Sequence, residues 1–247
     1  MTIESEESAV CRSCSLAKRK ELLGCRPGWS CVKGLYARHI DRFFSLHPEL
    51  APLFREDPYF EVRAIVARHL PEFLLADMLN DPDETVRIHV ALHVDPSRLP
   101  ALMGDPDREV RIRVALRIPE EFLWKMAEDP DYGVRKEVAA RIPVNRLALF
   151  VKDPDPGVRR QVAVRIGRPW LLCLAGDPDG GVRLAVLPRL TPAELMKRVR
   201  DPDLRVRAWI AVNGPLEGAR TLLSDPDPVV GEAARERLYG SGHLRAV

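Results

Sequence analysis

Asp81–Arg87 reads DPDETVR, and the same phrase returns at Asp105 as DPDREVR, at Asp129 as DPDYGVR and at Asp153 as DPDPGVR. It continues as DPDGGVR at Asp177 and DPDLRVR at Asp201, with looser copies DPYFEVR at Asp57 and DPDPVVG at Asp225. Every step between successive leading aspartates is 24 residues, with no insertion. A fixed period in this range marks a repeat array in which no unit buries its apolar faces alone and neighbours must stack.

Working outward from the phrase, Val86 is followed at four-residue steps by Val90 and Val94, and the other copies follow the same pattern. Apolar residues at i, i+4 and i+8 predict one buried stripe on a helix of about three turns. Ala67, Ala91, Ala115, Ala139, Ala163 and Ala211 add a small residue beside the stripe, which lets neighbouring helices approach. The leading Asp is expected to cap the helix with Pro at its first position, and the second Asp to sit in the first turn, where the helix dipole favours negative charge. Pro71, Pro119 and Pro143, with Gly167 in register, stop the helix. The remaining residues carry Leu75, Leu99, Leu123, Leu147, Leu171 and Leu195, with Met78, Leu102, Met126, Phe150 and Leu174 three further on. That spacing, poor in β-branched residues, predicts a short helix or 3-10 turns. Leu187-Pro188 and Asn213-Gly214-Pro215 break the pattern late in the array, and the last helix is expected to run to Leu238, before Gly240.

In front of the array, Cys11, Cys14, Cys25 and Cys31 are spaced C-x2-C-x10-C-x5-C. Four thiolates at such spacing hold either a tetrahedral zinc or an iron–sulfur cluster, and the spacing alone leaves both open. His39 and His47 are spare ligand types nearby. Arg12, Lys18, Arg19, Lys20, Arg26 and Lys33 face a single acid, Glu21. These cations either neutralise the thiolates or form a docking patch for an acidic partner or a phosphate backbone. Trp29 reads as core or as a shield for the metal, and Cys173, in the apolar run WLLCLAG, as core. Residues 35–46 carry an apolar stripe of helical spacing, and 47–58 resemble the second half of a repeat.

The division is therefore 1–33 as a four-cysteine module, 34–56 as a helical connector or degenerate repeat, and 57–247 as eight repeats. Net charge is +2, carried by residues 1–56, while the array holds 29 basic and 29 acidic residues. A neutral array argues against nonspecific nucleic-acid binding. No apolar run reaches the ~20 residues of a membrane span, and the acidic start MTIESEESAV does not resemble a secretory signal. A cytoplasmic, reducing setting follows, in which clustered cysteines bind metal rather than pair. The row Arg63, Arg87, Arg111, Arg135, Arg159, Arg183 and Arg207 predicts Arg–Asp pairs, within a helix or between neighbours, or an anion-binding stripe. A second row, Arg117, Arg141, Arg165 and Arg189, falls near helix C-termini and complements their dipoles. No phosphate loop, HExxH or nucleophile elbow is present, so no catalytic residue is assigned.

The 24-residue DPxxxVRxxVAxRI pattern behind a four-cysteine segment resembles the leucine-rich repeat variant family. The resemblance implies an all-α, right-handed superhelical solenoid of α-helices alternating with short 3-10 or α segments, and an N-terminal [4Fe–4S] cluster on Cys11, Cys14, Cys25 and Cys31. The function expected on that basis is redox sensing or electron transfer, with a protein partner on the concave face and nucleic acid as the lesser option. The alternative is a structural zinc cap without redox work.

Overall fold

The computed structural model describes residue 11, residues 14–34 and residues 36–240. Residues 1–10, Arg12, Ser13, Leu35 and residues 241–247 lie outside these. Among the described residues there is no strand, only a bridge between Arg26 and Ser30, and no helix long and apolar enough to cross a membrane. The chain forms two compact units, Met1–Met126 and Ala127–Val247.

In the first unit, helices α1 (Ala37–Leu46), α2 (Phe60–His69), α3 (Glu84–His93) and α4 (Arg108–Arg117) alternate with shorter segments. These are 3-10 turns at Pro48–Phe54 and Pro96–Leu102, and one-turn helices Glu72–Leu75 and Glu120–Leu123 that tighten into 3-10. The second unit repeats the alternation with α5 (Tyr132–Arg141), α6 (Pro156–Arg165), α7 (Gly180–Val186), α8 (Leu204–Asn213) and α9 (Pro228–Tyr239). Pro188 cuts α7 to seven residues, and Gly240, at φ +75°, ends α9 one residue later than the sequence suggested.

The core is the repeated set. Val86, Val90, Ala91, Val94 and Leu99 are closed to solvent, as are Val158, Val162, Ala163, Ile166 and Leu171 one unit on. The third stripe residue does not lie in the helix. Val94, Ile118, Ile142 and Ile166 are extended caps at ψ near +150°, buried immediately past the last turn. A proline forces its predecessor out of the α region, which explains Ile118 and Ile142. At roughly 1.5–3 kcal/mol for each fully buried aliphatic side chain, these rows dominate stability.

One expectation about the phrase needs correction: the helix cap is the second aspartate, not the first. Asp83 accepts the Thr85 N–H at 2.9 Å, and Asp107 accepts Glu109 and Val110. The leading aspartate is held by the arginine 18 residues earlier. Arg159 Nε and Nη2 donate to the two oxygens of Asp177 at 2.7 and 2.8 Å, while Nη1 donates to the Asp153 carbonyl of its own repeat. Arg63–Asp81 and Arg87–Asp105 repeat this in the first unit, and Arg135–Asp153, Arg183–Asp201 and Arg207–Asp225 in the second. Of the two pairings the row allowed, within a helix or between neighbours, the structure forms the one between neighbours. A planar fork meets a carboxylate in two parallel bonds, the strongest geometry available to the pair. Burial pushes the Asp177 carboxyl up, but Arg159, the Asp179 N–H and Arg183 together bring it below its ordinary value.

The second arginine row also works across repeats. Arg117, Arg165 and Arg189 donate to the carbonyls of Ala91, Ala139 and Ala163, at the C-terminal end of the preceding repeat's helix, where carbonyls lack partners. Cys173 is exposed, against expectation. Leu171 and Leu174 take the buried face of Trp170–Leu174, and a residue two places after Leu171 points away from it.

Candidate metal centre

The module is shaped by turns that the sequence dictates. A 3-10 turn, Ala17–Arg19, follows Cys14, whose carbonyl accepts the Ala17 N–H at 3.0 Å. Gly24, at φ +57°, reverses the chain just before Cys25, whose N–H returns to the Lys20 carbonyl. Pro27 and Gly28 then make a type II turn. Trp29 N–H donates to the Arg26 carbonyl, and Gly28 sits at φ +76°, a conformation that favours glycine. Arg26 and Ser30 close it with reciprocal backbone bonds of 2.9 and 2.8 Å, so Cys25 and Cys31 flank the neck of one tight loop.

Helix α1 anchors this loop. Cys31 N–H donates to the His39 carbonyl. His47 Nε2–H donates to the Leu23 carbonyl at 2.8 Å, and Arg42 to the Trp29 carbonyl at 2.9 Å. The two histidines thus support the loop: the His39 carbonyl takes the Cys31 N–H while its ring accepts from Arg38 Nε, and the His47 ring holds the Leu23 carbonyl. Gly34 is required beside Cys31, because a Cβ there would stand 2.7 Å from the His39 Cβ and 3.0 Å from the Cys31 carbonyl oxygen. Lys33 reaches 2.6 Å to Asp57, the first leading aspartate, and occupies the place that an arginine fills in later repeats.

All four cysteines line one cavity of about 40 Å³. A single water needs roughly 10–15 Å³ on that scale, so the space exceeds one small ion. Leu16, Ala17 and Val32 supply apolar walls, and Lys20 and Lys33 the positive edge. Burial raises the Cys31 thiol above its ordinary value, opposed by the Lys33 N–H on its sulfur and reinforced by the negative charge of Cys11, Cys14 and Cys25. Cys25 is raised by burial and then by Cys14 and Cys11. Cys25 and Cys31 thus resist ionising unless a cationic centre sits beside them. Among the described residues, no three His, Cys, Asp or Glu side chains stand close enough to hold a single metal ion. The donors suit a larger, multi-iron group, whose cationic core would offset part of their charge.

Trp29 is neither core nor a wall of the cavity. It is 46% exposed, with the guanidiniums of Arg26 and Arg42 over its ring at 5.7 and 4.6 Å. The links from Lys33 to Asp57 and from His47 to Leu23 went unread in the sequence. The signal was present, since each pair is separated by one period of 24.

Fold and site together define a helical-repeat protein with a four-cysteine, cluster-bearing front module. Residues 7–52 match the family described as LRV protein FeS4 cluster, and residues 60–83 match the leucine-rich repeat variant. A solved structure, described as a leucine-rich repeat variant with a novel repetitive protein structural motif, is 43% identical. It aligns over 92% of this chain and 98% of its own at a TM-score of 0.83. An uncharacterised 27.7 kDa protein in the nifB 3′ region of Rhodobacter capsulatus is 41% identical over 81 residues, a third of each chain. The chain belongs to the leucine-rich repeat variant family, and its cofactor is an iron–sulfur cluster of the [4Fe–4S] kind rather than zinc.

Proposed function

We propose that this is an iron–sulfur redox protein in which Cys11, Cys14, Cys25 and Cys31 hold the cluster and the repeats offer surface to a protein partner. The observation that carries this is the convergence of four sulfurs on one apolar-walled cavity, braced by α1 and joined through Lys33 to the leading aspartate of the array. The bound cluster supplies the capacity to take up and release one electron. Leu16 and Val32 limit water at the sulfurs, Lys20 offsets negative charge, and the Lys33 N–H stabilises the Cys31 thiolate. Positive charge and hydrogen bonds near the sulfurs raise a cluster's potential. A reducing, cytoplasmic setting suits metal-bound rather than disulfide-paired cysteines of this kind. Nucleic acid is the weaker partner, because residues 57–247 carry no net charge.

A purely structural cap is favoured by a different observation. Ile40, Phe43 and Phe44 on α1 are fully buried, and the cysteine loops are tied onto that helix. Protein purified without air separates the two readings. Iron and sulfide near four each per chain, with reversible reduction in spectroelectrochemistry, supports the redox role. A cluster that no potential reduces or oxidises without destroying it leaves only the cap.

A further inference from the structure

Four cations of the cysteine module differ from the arginine row of the array in meeting no carboxylate among the described residues. Among the described residues, Lys18, Arg19, Lys20 and Arg26 are in no ion pair, whereas Lys33 is held by Asp57. Residues 11–33 contain six cations and one acid. Four thiolates around an oxidised [4Fe–4S] core carry about two negative charges. With Lys33 engaged elsewhere, neutralising the cluster still leaves a positive surplus at the surface. Lys18, Arg19, Lys20 and Arg26 are exposed, on the two loops whose bases wall the cavity.

The same surface carries a fixed aromatic anchor. The Trp29 ring is half exposed, while its backbone is pinned by Arg42 and by the turn through Gly28. Leu22, 84% exposed, adds an apolar contact on the longer loop. A rigid Trp among arginines is the composition of an interface hot spot, since little side-chain entropy is lost when it is covered.

We propose that Lys18, Arg19, Arg26 and the Arg26–Trp29–Arg42 stack form the docking face for an acidic electron-carrier protein, seated over the loops that enclose the cluster. A cluster held by Cys11, Cys14, Cys25 and Cys31 would accept one electron from the partner's reduced iron–sulfur or flavin centre, the partner being oxidised and the cluster reduced with no proton or group moved. Carboxylates on the partner meet unpaired cations, which steers encounter and makes it sensitive to salt. A nucleic acid suits this face less well, because guanidiniums already lie over the ring on which a base would stack. The inference rests on the redox reading in taking the passenger to be an electron, while the docking itself is separately measurable.

The test uses the full-length holoprotein and an acidic plant-type ferredoxin as probe, with binding followed by calorimetry under anaerobic conditions. The expected result is binding that weakens at least about tenfold between about 50 and about 200 mM salt. It weakens about tenfold again in Arg19→Glu/Arg26→Glu, and less in Arg19→Gln/Arg26→Gln. The exposed array cations serve as control, and Arg146→Glu/Lys152→Glu leaves binding unchanged. Iron content and helicity of each variant show that it is folded and loaded. Undiminished binding by Arg19→Glu/Arg26→Glu, no binding by the parent, or tighter binding of an oligothymidylate than of ferredoxin overturns the proposal. Reduction by dithionite without any partner tests the redox reading alone. A cluster that reduces but does not attract ferredoxin defeats the docking face only, and a face that binds ferredoxin over an irreducible cluster defeats the redox reading only.

Discussion

Arg159 in the array and Arg26 in the cysteine module carry the same charge in opposite circumstances. Arg159 is 11% exposed and all its polar nitrogens are engaged, by Asp177 on one side and its own repeat's carbonyls on the other. Arg26 is exposed, lies over a tryptophan and meets no carboxylate among the described residues. A guanidinium that repeats with a partner at fixed offset belongs to the scaffold. One without a partner, beside an anionic cofactor, remains available to another molecule. Residue type alone does not separate these roles; the partner does.

The comparison is broken most severely at the cysteines. Cys14→Ser should abolish bound iron and the visible absorption while leaving most of the far-ultraviolet helical signal, because array stability is mostly between neighbours. Wholesale loss of helix in that variant would mean that module and array are one cooperative body. Next in size, Arg159→Ala should cost about 3 kcal/mol in denaturant unfolding, because it leaves the Asp177 carboxylate buried without its partner. Arg159→Ala with Asp177→Ala should cost less than the sum of the two single changes. Strict additivity would show that the pair is not coupled. In the module, Gly34→Ala should cost about 1–3 kcal/mol through the contact with the His39 Cβ, read as earlier loss of cluster absorbance on heating. Lys33→Met should cost about 1 kcal/mol, since that pair is a single contact and Lys33 is 30% exposed. Its double-mutant cycle with Asp57→Asn should show coupling, and independence would remove the link between cluster module and ladder.

Acid sharpens the contrast. Burial, then Arg68 and His93, holds His89 below its ordinary value, and burial, then Arg117 and Arg68, does the same for His93. The unfolded chain takes up these protons first, so stability should start to fall as pH drops below about 6.5. Asp81, Asp177 and Asp225 are held below theirs by their arginines, burial opposing. Their contribution is complete above about 4 and is lost as pH falls through the lowered folded values. Melting temperature against pH should therefore show a shallow loss followed by a steep one. A melting temperature that stays level between about pH 4 and 2 would contradict the ladder's share in stability.

The sequence by itself settled the repeat, the helical period and the buried rows, and it singled out the four clustered cysteines. Each is written in spacing along one strand of chain, and local rules for proline, glycine and apolar periodicity read spacing directly. It misplaced the cap, because both aspartates of the phrase are good caps and only stacking assigns one of them to the previous arginine. It misread Cys173 and Trp29 because apolar character does not tell which face of a short helix or which side of a turn is covered. The offset of 18 from Arg159 to Asp177, the reach of Lys33 to Asp57 and the meeting of four cysteines in one cavity were decided by tertiary structure. They depend on distances between segments remote in the chain, which form only when one repeat is laid against the next.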